Sequence, residues 1–478
     1  MSFTIPQFAP AMAEIALATG ICIVLLADLF ISKERKVWTL WLALATLAAT
    51  AWFVGAGTEG GSVLTFDGSF VADGLARVLK LFTLIVVAIV FVYSHAYLQD
   101  RDLLKGEYYL LGLFAVLGMF VMISAHSLLT MYLGLELMSL ALYAMTAFDR
   151  NSPVAAEAAL KYFVLGAIAS GILLYGMSLL YGVTGSLQLD EIGAALAGEG
   201  AALAPALLGT AFVIVGIAFK FGAVPFHNWV PDLYQGAPTS VTLFIGTAPK
   251  LAAFAMLTRL LDTALGPIGE SWAPLVMSLG VLSIALGNVI AIAQTNIKRM
   301  LAYSTIGHFG FMLTGFAVNT PQGQEAALFY TLVYSIMAAA AFGMILLLAR
   351  RGFEAEELDD FRGLNARSPW FAAMMLLVMA SMIGIPPFVG FFAKLYVLAA
   401  LVEADLAWVA IIAVLFSVIG AFYYLRVIRY MYFEKGEDES PVEAGLNVRL
   451  LLSANALAML GLGVFANPLL ALCAAALA

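Results

Sequence analysis

The sequence predicts an all-α polytopic membrane protein with about fourteen transmembrane helices, and three observations carry that prediction. Hydrophobic residues make up 63% of the 478 and charged residues 11%, about half the charge of a soluble domain, and the mean hydropathy is +0.98. Apolar stretches of roughly 20 residues, the length a helix needs to cross the hydrocarbon core, recur from one end to the other. The Lys and Arg residues between them gather in every second connection, as the positive-inside bias requires.

The first six spans fall at about 11 to 31, 37 to 55, 73 to 97, 107 to 125, 127 to 148 and 154 to 183. The rest fall near 204 to 235, 238 to 261, 272 to 294, 299 to 318, 323 to 350, 369 to 402, 406 to 432 and 447 to 476. Two of these are long enough to be interrupted. No basic residue precedes the first span, so that span is expected to stay rather than be cleaved as a signal peptide. Cys22 and Cys473 stand far apart with no ligand spacing, which suggests neither a disulfide framework nor a metal centre. A net charge of −8 argues against a nucleic-acid partner.

Of the 23 Lys and Arg residues, 16 lie in connections on one side, from Lys33, Arg35 and Lys36 through Lys298 and Arg299 to Arg449. Both termini are then expected on the opposite side. Connections such as 56 to 70, 184 to 203 and 262 to 271 carry no Lys or Arg, as translocated loops should. Arg77, Lys80 and Arg259 lie near span ends on that translocated side, where long stems are expected to snorkel to the interface.

Four lysines remain inside apolar stretches: Lys161, Lys220, Lys250 and Lys394. An ammonium at the bilayer centre costs about 2.5–3.5 kcal/mol on insertion scales, so such residues suggest a charge pathway. Lys220 opens "KFGAVPFHNWVPDLYQGAPT", where Pro225 and Pro231 each remove a backbone donor and are expected to break the helix. Broken membrane helices line protein or water and place ion sites at their ends. Lys394 follows a second interruption at Pro386 and Pro387. Lys250 has no acid on its own helix face and needs a partner from another span or a water chain. Lys161 follows Glu157 by four residues, which fits an ordinary helix-surface pair as well as a functional one.

Glu136, in "MYLGLELMSLALY", is the carboxylate near a span centre. It is either a packing acid bonded to Ser139 or a neighbouring backbone, or the counter-charge of a buried lysine, in which case its movement changes how firmly that lysine holds a proton. The four histidines show no ligand spacing, so haem or metal binding is not expected. His308 is either a titratable relay between Lys250 and Lys394 or a satisfied packing residue, and His227 can cap the broken helix. No P-loop, dinucleotide loop or nucleophile arrangement is present.

Together "KFGAVPFHNWVPDLYQGAPT", "LGLELMSLALY", "APKLAAF" and "KRMLAYSTIGHFGF" resemble the antiporter-like membrane subunits of respiratory complex I. The Tyr234 to Thr239 run and the Pro249-Lys250 pair look like the N branch more than L or M, and the resemblance covers essentially the whole chain. Ser240 departs from it, standing where proline is expected. The resemblance implies inverted five-helix repeats, one over residues 107–262 and one over 263–435, after an N-terminal three-helix segment (1–106) and before a C-terminal helix (436–478). It implies Glu136 and Lys220 as the first-repeat couple, Lys161 as a modulator, Lys250 as central relay and Lys394 as the outlet-side lysine, with His308 and Tyr303 hydrating the connection.

It further implies a proton-translocating subunit of NADH-quinone oxidoreductase, coupled electrostatically to redox chemistry elsewhere. NADH, FMN, iron–sulfur clusters and quinone belong to partner subunits and no cofactor to this chain. The expected partners are other complex I membrane subunits, membrane lipid, protons and internal water. The location implied is a bacterial inner membrane with both termini periplasmic. Two rival readings stand beside it. A subunit of a multisubunit Na⁺/H⁺ antiporter shares the fold and the Glu/Lys couple, while a secondary transporter of a small metabolite should place substrate-specific polar groups at the breaks, where this chain has lysines and prolines.

Overall fold

The computed structural model describes residues 6–57, 61–198, 202–436, 442 and 444–478. Helices follow almost without interruption: α1 (Met12–Asp28), α2 (Val37–Ala56), α3 (Gly74–Asp100), α4 (Gly106–Ile123), α5 (Leu128–Thr146), α6 (Pro153–Thr184), α7 (Leu189–Ala197), α8 (Leu203–Phe221), α9 (Trp229–Gly236) and α10 (Thr239–Ile245). Next come α11 (Ala248–Thr258), α12 (Gly269–Ile292), α13 (Ile297–Ala317), α14 (Pro321–Leu348), α15 (Leu364–Arg367), α16 (Pro369–Ile383), α17 (Val389–Glu403), α18 (Ala407–Phe433), α19 (Leu446–Val464) and α20 (Ala466–Leu477). Among the described residues, twelve helical stretches are long and apolar enough to cross a membrane. The more polar α13 and the broken α16/α17 pair complete the expected fourteen.

The structure adds detail within these spans. A small antiparallel hairpin, Val63–Thr65 with Phe70–Ala72, occupies the connection before α3. The short amphipathic α7 packs against the π-helical turn Arg259–Ala264 that ends the eighth span. That span is itself divided, because the helix stops at Gly246 and restarts at Ala248 with Pro249 in its first turn, where the missing proline donor is harmless. Likewise Pro231 does not break a helix. It sits in the first turn of α9, and the break lies wholly upstream, over 222–228.

Close packing sets the depth of the polar residues. A Cβ on Gly118 of α4 would lie 2.4 Å from Met138 N, and one on Gly134 of α5 would lie 2.6 Å from Met122 N, so backbone meets backbone as small residues allow between membrane helices. The α12/α13 pair repeats this, with Gly287 2.6 Å from Gly307 N and Gly310 2.7 Å from Ile284 N by the same measure. The centre is occupied by α10, α11 and the long α14, whose residues are almost all buried.

Snorkelling fails for two of the three translocated-side cations. Lys80 is buried against Glu14 of α1 at 2.5 Å. Arg259 is buried in a two-pronged bond to Asp73, the N-cap of α3, at 2.6 and 2.8 Å. The cause is local pairing: Glu14 holds Lys80, and Asp73 with the Ile123 carbonyl holds Arg259, while α20 packs on the start of α3 beside Lys80, where a Cβ on Gly74 would lie 3.1 Å from Ala476. Arg77 behaves as expected, reaching out to the Gly55 carbonyl at 3.1 Å on an exposed surface.

Candidate functional site

Both broken helices are ended the same way. At the close of α8 Gly222 takes φ +72 and Ala223 N–H returns to the Ala218 carbonyl at 2.8 Å. At the close of α16 Gly384 takes φ +89 and Ile385 N–H returns to the Ala380 carbonyl at 3.1 Å. This left-handed glycine cap turns the chain sharply, and prolines follow it in each case. It leaves the last carbonyls of each half-helix, the negative end of its dipole, facing protein instead of a next turn.

A lysine occupies each of those ends. Lys250 Nζ donates to the Lys220 carbonyl at 2.9 Å, with Trp229 and Phe309 rings 5.2 and 5.5 Å from it. Lys394 Nζ donates to the Ile383 carbonyl at 2.7 Å, the Met382 carbonyl at 3.3 Å and Ser417 Oγ at 2.8 Å, with the Phe311 ring 5.5 Å away. Carbonyl dipoles and ring faces thus hold these cations where, among the described residues, no carboxylate pairs with them. That is the partner Lys250 requires.

Lys220, in the last turn of α8, is buried and donates to Ser139 Oγ at 2.9 Å. Ser139 in turn donates to the Leu135 carbonyl at 2.7 Å. Glu136 makes no hydrogen bond to Ser139 among the described residues. Nor does it form an ion pair with Lys220 among the described residues. Its Oε1 is buried without a hydrogen-bond partner, and its charge reaches Lys220 through space. Glu136 is half-buried on a face of α5 whose neighbours Leu133 and Leu140 are 57% and 55% exposed, which places the acid at the edge of the chain.

His308 lies between the two lysine sites. Its ring nitrogens meet Tyr330 and Tyr424 hydroxyls at 2.8 and 3.0 Å, Tyr424 meets Ser304 at 2.5 Å, and Tyr334 meets Thr305 at 2.7 Å. One helix, α13, therefore carries His308 together with Phe309 against Lys250 and Phe311 against Lys394. Tyr303 and His227 face each other with ring centroids 6.4 Å apart. His227 lies within the break, against the Pro225 backbone. The break is also held by Trp229 Nε1–H on the Phe219 carbonyl and Val224 N–H on Ser283 Oγ, both at 2.9 Å.

Lys161 is not brought to Lys220. Its side chain is 47% exposed and pairs with Asp232 at 2.9 Å and Glu157 at 3.0 Å, while Asp232 also binds Arg299 at 2.8 Å. These bonds tie α6, α9 and α13 together on the basic side.

The sequence and its fold have known counterparts. Residues 125–420 match the family model described as NADH:quinone oxidoreductase/Mrp antiporter, TM. A curated relative, NADH-quinone oxidoreductase subunit N of Thioalkalivibrio sulfidiphilus, is 57% identical over 100% of both chains. The chain belongs to this family, in its subunit N branch. Subunit N of Thiobacillus denitrificans is 53% identical over 100% of this chain and 99% of its own. Among solved structures, respiratory complex I from Thermus thermophilus with bound aureothin contains a chain of TM-score 0.82 and 31% identity, covering 97% of this chain and 99% of that one. The Mrp complex from Dietzia sp. shares the fold, with a TM-score of 0.83 at 22% identity, over 98% of this chain and 96% of that one.

Sequence reading of this subunit N-type chain passed over Tyr330, Tyr424, Trp229 and Asp232. The tyrosines look like ordinary apolar-span aromatics until His308 is placed between them. Asp232 follows Pro231 in the run opened by Lys220, and its invitation to a cation was the one available signal.

Proposed function

We propose that protons cross this membrane-arm subunit of NADH-quinone oxidoreductase along Glu136, Lys220, Lys250, His308 and Lys394. The observation that carries the route is the pair of broken helices, each with a lysine ammonium seated on the carbonyl end of its first half. Lys220 and Lys250 are coupled through one residue, since Lys250 binds the carbonyl of the peptide whose side chain is Lys220. When Glu136 draws close, its charge holds the proton on Lys220. When it withdraws, Lys220 releases that proton toward Lys250, and water around His308 and Tyr303 passes it to Lys394.

The magnitudes agree. Moving one charge across 100 mV takes about 2.3 kcal/mol, and halving the approach of two unit charges from about 8 to 4 Å at an effective dielectric near 20 is worth about 2 kcal/mol. A side-chain movement of Glu136 therefore supplies the scale of one step. No redox cofactor enters this scheme, and NADH, FMN, iron–sulfur clusters and quinone are assigned to the partner subunits.

Residues 107–262 and 263–435 are read as the two repeats. Each contains a backbone-close helix pair, α4/α5 or α12/α13, and one glycine-capped broken helix. The clustered basic connections favour a bacterial inner membrane with both termini periplasmic. Lys161 is assigned to holding α9 in place, so that its effect on Lys220 is indirect.

The test is NADH-driven acidification of inverted membrane vesicles carrying Lys220→Ala, with quinone reduction and assembly followed in the same preparation. Collapse of pumping in an assembled complex supports the route, and unchanged pumping removes Lys220 from it. Sodium-driven proton exchange by the unmodified complex without NADH would instead favour the antiporter reading.

A further inference from the structure

The second break, between α16 and α17, is held by more than its prolines. Ser381, in the last turn of α16, is fully buried. Its Oγ accepts the Gly390 N–H at 3.1 Å and donates to Met337 Sδ of α14 at 3.2 Å. Gly390 is the second residue of α17, and its N–H is one of the four donors that a helix start leaves without an intrahelical partner. The first half-helix thus supplies a cap to the second. A Cβ on Gly390 would overlap the Ser381 carbonyl, so the two halves meet backbone to backbone there.

On another side the break is covered by α19. A Cβ on Gly463 would lie 2.7 Å from Val389 N and 2.8 Å from the Phe388 carbonyl carbon, and nearer still to the Pro387 carbonyl oxygen. All three are backbone atoms, which cannot swing aside as the tip of a side chain does. Two residues earlier on the same helix, a Cβ on Gly461 meets nothing within 4 Å. Lys394 stands five residues beyond Val389 and reaches back to the carbonyls of Met382 and Ile383, the two residues after Ser381. The lysine and its acceptors therefore lie within a few residues of the pinned backbone on either side of the break.

We infer that Ser381 and Gly463 are positioning residues for proton transfer, fixing the two half-helices so that the Lys394 ammonium stays on the Met382 and Ile383 carbonyls. In this way α19 acts on the second seat without supplying any of its hydrogen bonds. Ser283 of α12 does the comparable work at the first break, through Val224 N–H. The inference rests on the proton route proposed above. Carbonyl acceptors favour the charged form of a lysine, so a displaced seat makes Lys394 give up its proton at lower pH. A merely weakened fold lowers the number of working complexes and leaves the pH dependence of each one alone.

The test measures NADH-driven acidification and quinone reduction by the assembled complex in inverted vesicles, from about pH 6 to 9, a range that spans the charge change of a desolvated lysine. Ser381→Ala and Gly463→Ala are each paired with a control. Ser335→Ala removes an equally buried hydroxyl that bonds the Thr331 carbonyl of its own helix at 3.0 Å, and Gly461→Ala adds the same methyl to the same helix in open space. Pumping per assembled complex is expected to fall at least threefold in both test variants, with the alkaline midpoint of coupled turnover moved toward acid by at least half a pH unit, and neither change is expected in the controls. Test variants that match their controls, or that lose pumping with the midpoint unmoved, would overturn the inference. If Gly463→Ala does not assemble, Ser381→Ala, which removes one oxygen and adds no bulk, decides alone. Lys394→Met in the same series separates the two levels of the argument. Normal pumping by Lys394→Met removes the second half of the route and the positioning role with it, whereas loss of pumping there beside test variants that match their controls overturns the positioning role only.

Discussion

Substituting Glu136→Gln removes a charge and almost nothing else, so it isolates the electrostatic step. Lys220 is buried with Ser139 as its direct partner, and Glu136 is near enough for its charge to be felt but is not in contact. Two unit charges about 5 to 8 Å apart, at an effective dielectric near 20, interact by about 2 to 3 kcal/mol. Losing that term should shift the proton affinity of Lys220 by roughly 30- to 150-fold, as a tenfold change corresponds to about 1.4 kcal/mol. This matches the work of one charge against about 100 mV, so the variant should assemble but lose most of its load-bearing pumping. The assay is acidification of inverted vesicles during NADH oxidation, run with and without an imposed membrane potential. The deficit should be larger with the potential present. An unchanged proton yield under both conditions would refute the reasoning that Glu136 controls the charge on Lys220.

Arg259→Ala leaves Asp73, which is partly exposed and keeps its bond from Ala76 N–H, without its counter-charge, so less than the about 3–5 kcal/mol of a fully buried pair is lost; it should lower the thermal stability of the detergent-solubilised complex more than it lowers pumping per assembled complex. Gly134→Leu forces α4 and α5 apart, because even a Cβ there lies 2.6 Å from Met122 N, and loss of pumping is expected from Ser139 and Glu136 moving together. Lys161→Ala should reduce pumping by less than about threefold, since an exposed pair of this kind is worth only about 0–1 kcal/mol. Lys250→Met empties the seat on the Lys220 carbonyl, and its pumping should fall at least tenfold with assembly intact, as read by native-gel quantitation beside the vesicle assay.

Most of the architecture was legible because the bilayer imposes a length on each helix, and the prolines and glycines at the breaks act locally. Pro225 placed the first interruption correctly. Pro231 misled because proline is harmless in a first turn and the sequence does not show where α9 begins. Lys80 and Arg259 were misjudged for a different reason: depth along a span is readable, but lateral cover is not, and Glu14, Asp73 and α20 supply that cover from distant parts of the chain. The same limit hid Tyr330 and Tyr424. The lysines announced themselves through the penalty for burying charge, whereas their seats on backbone carbonyls carry no side-chain signature at all.

Phe309 and Phe311 are two residues apart on α13, about 200° around an α-helix, so the helix turns opposite flanks to Lys250 and Lys394. It stands between the two lysine seats, with an apolar ring facing each and His308 on the residue before the first of those rings. A continuous wire through the centre would let the membrane potential discharge whenever both ends were wet. On the proposed route, a helix between the two seats would let one lysine be loaded while the other empties, much as a canal lock holds two water levels.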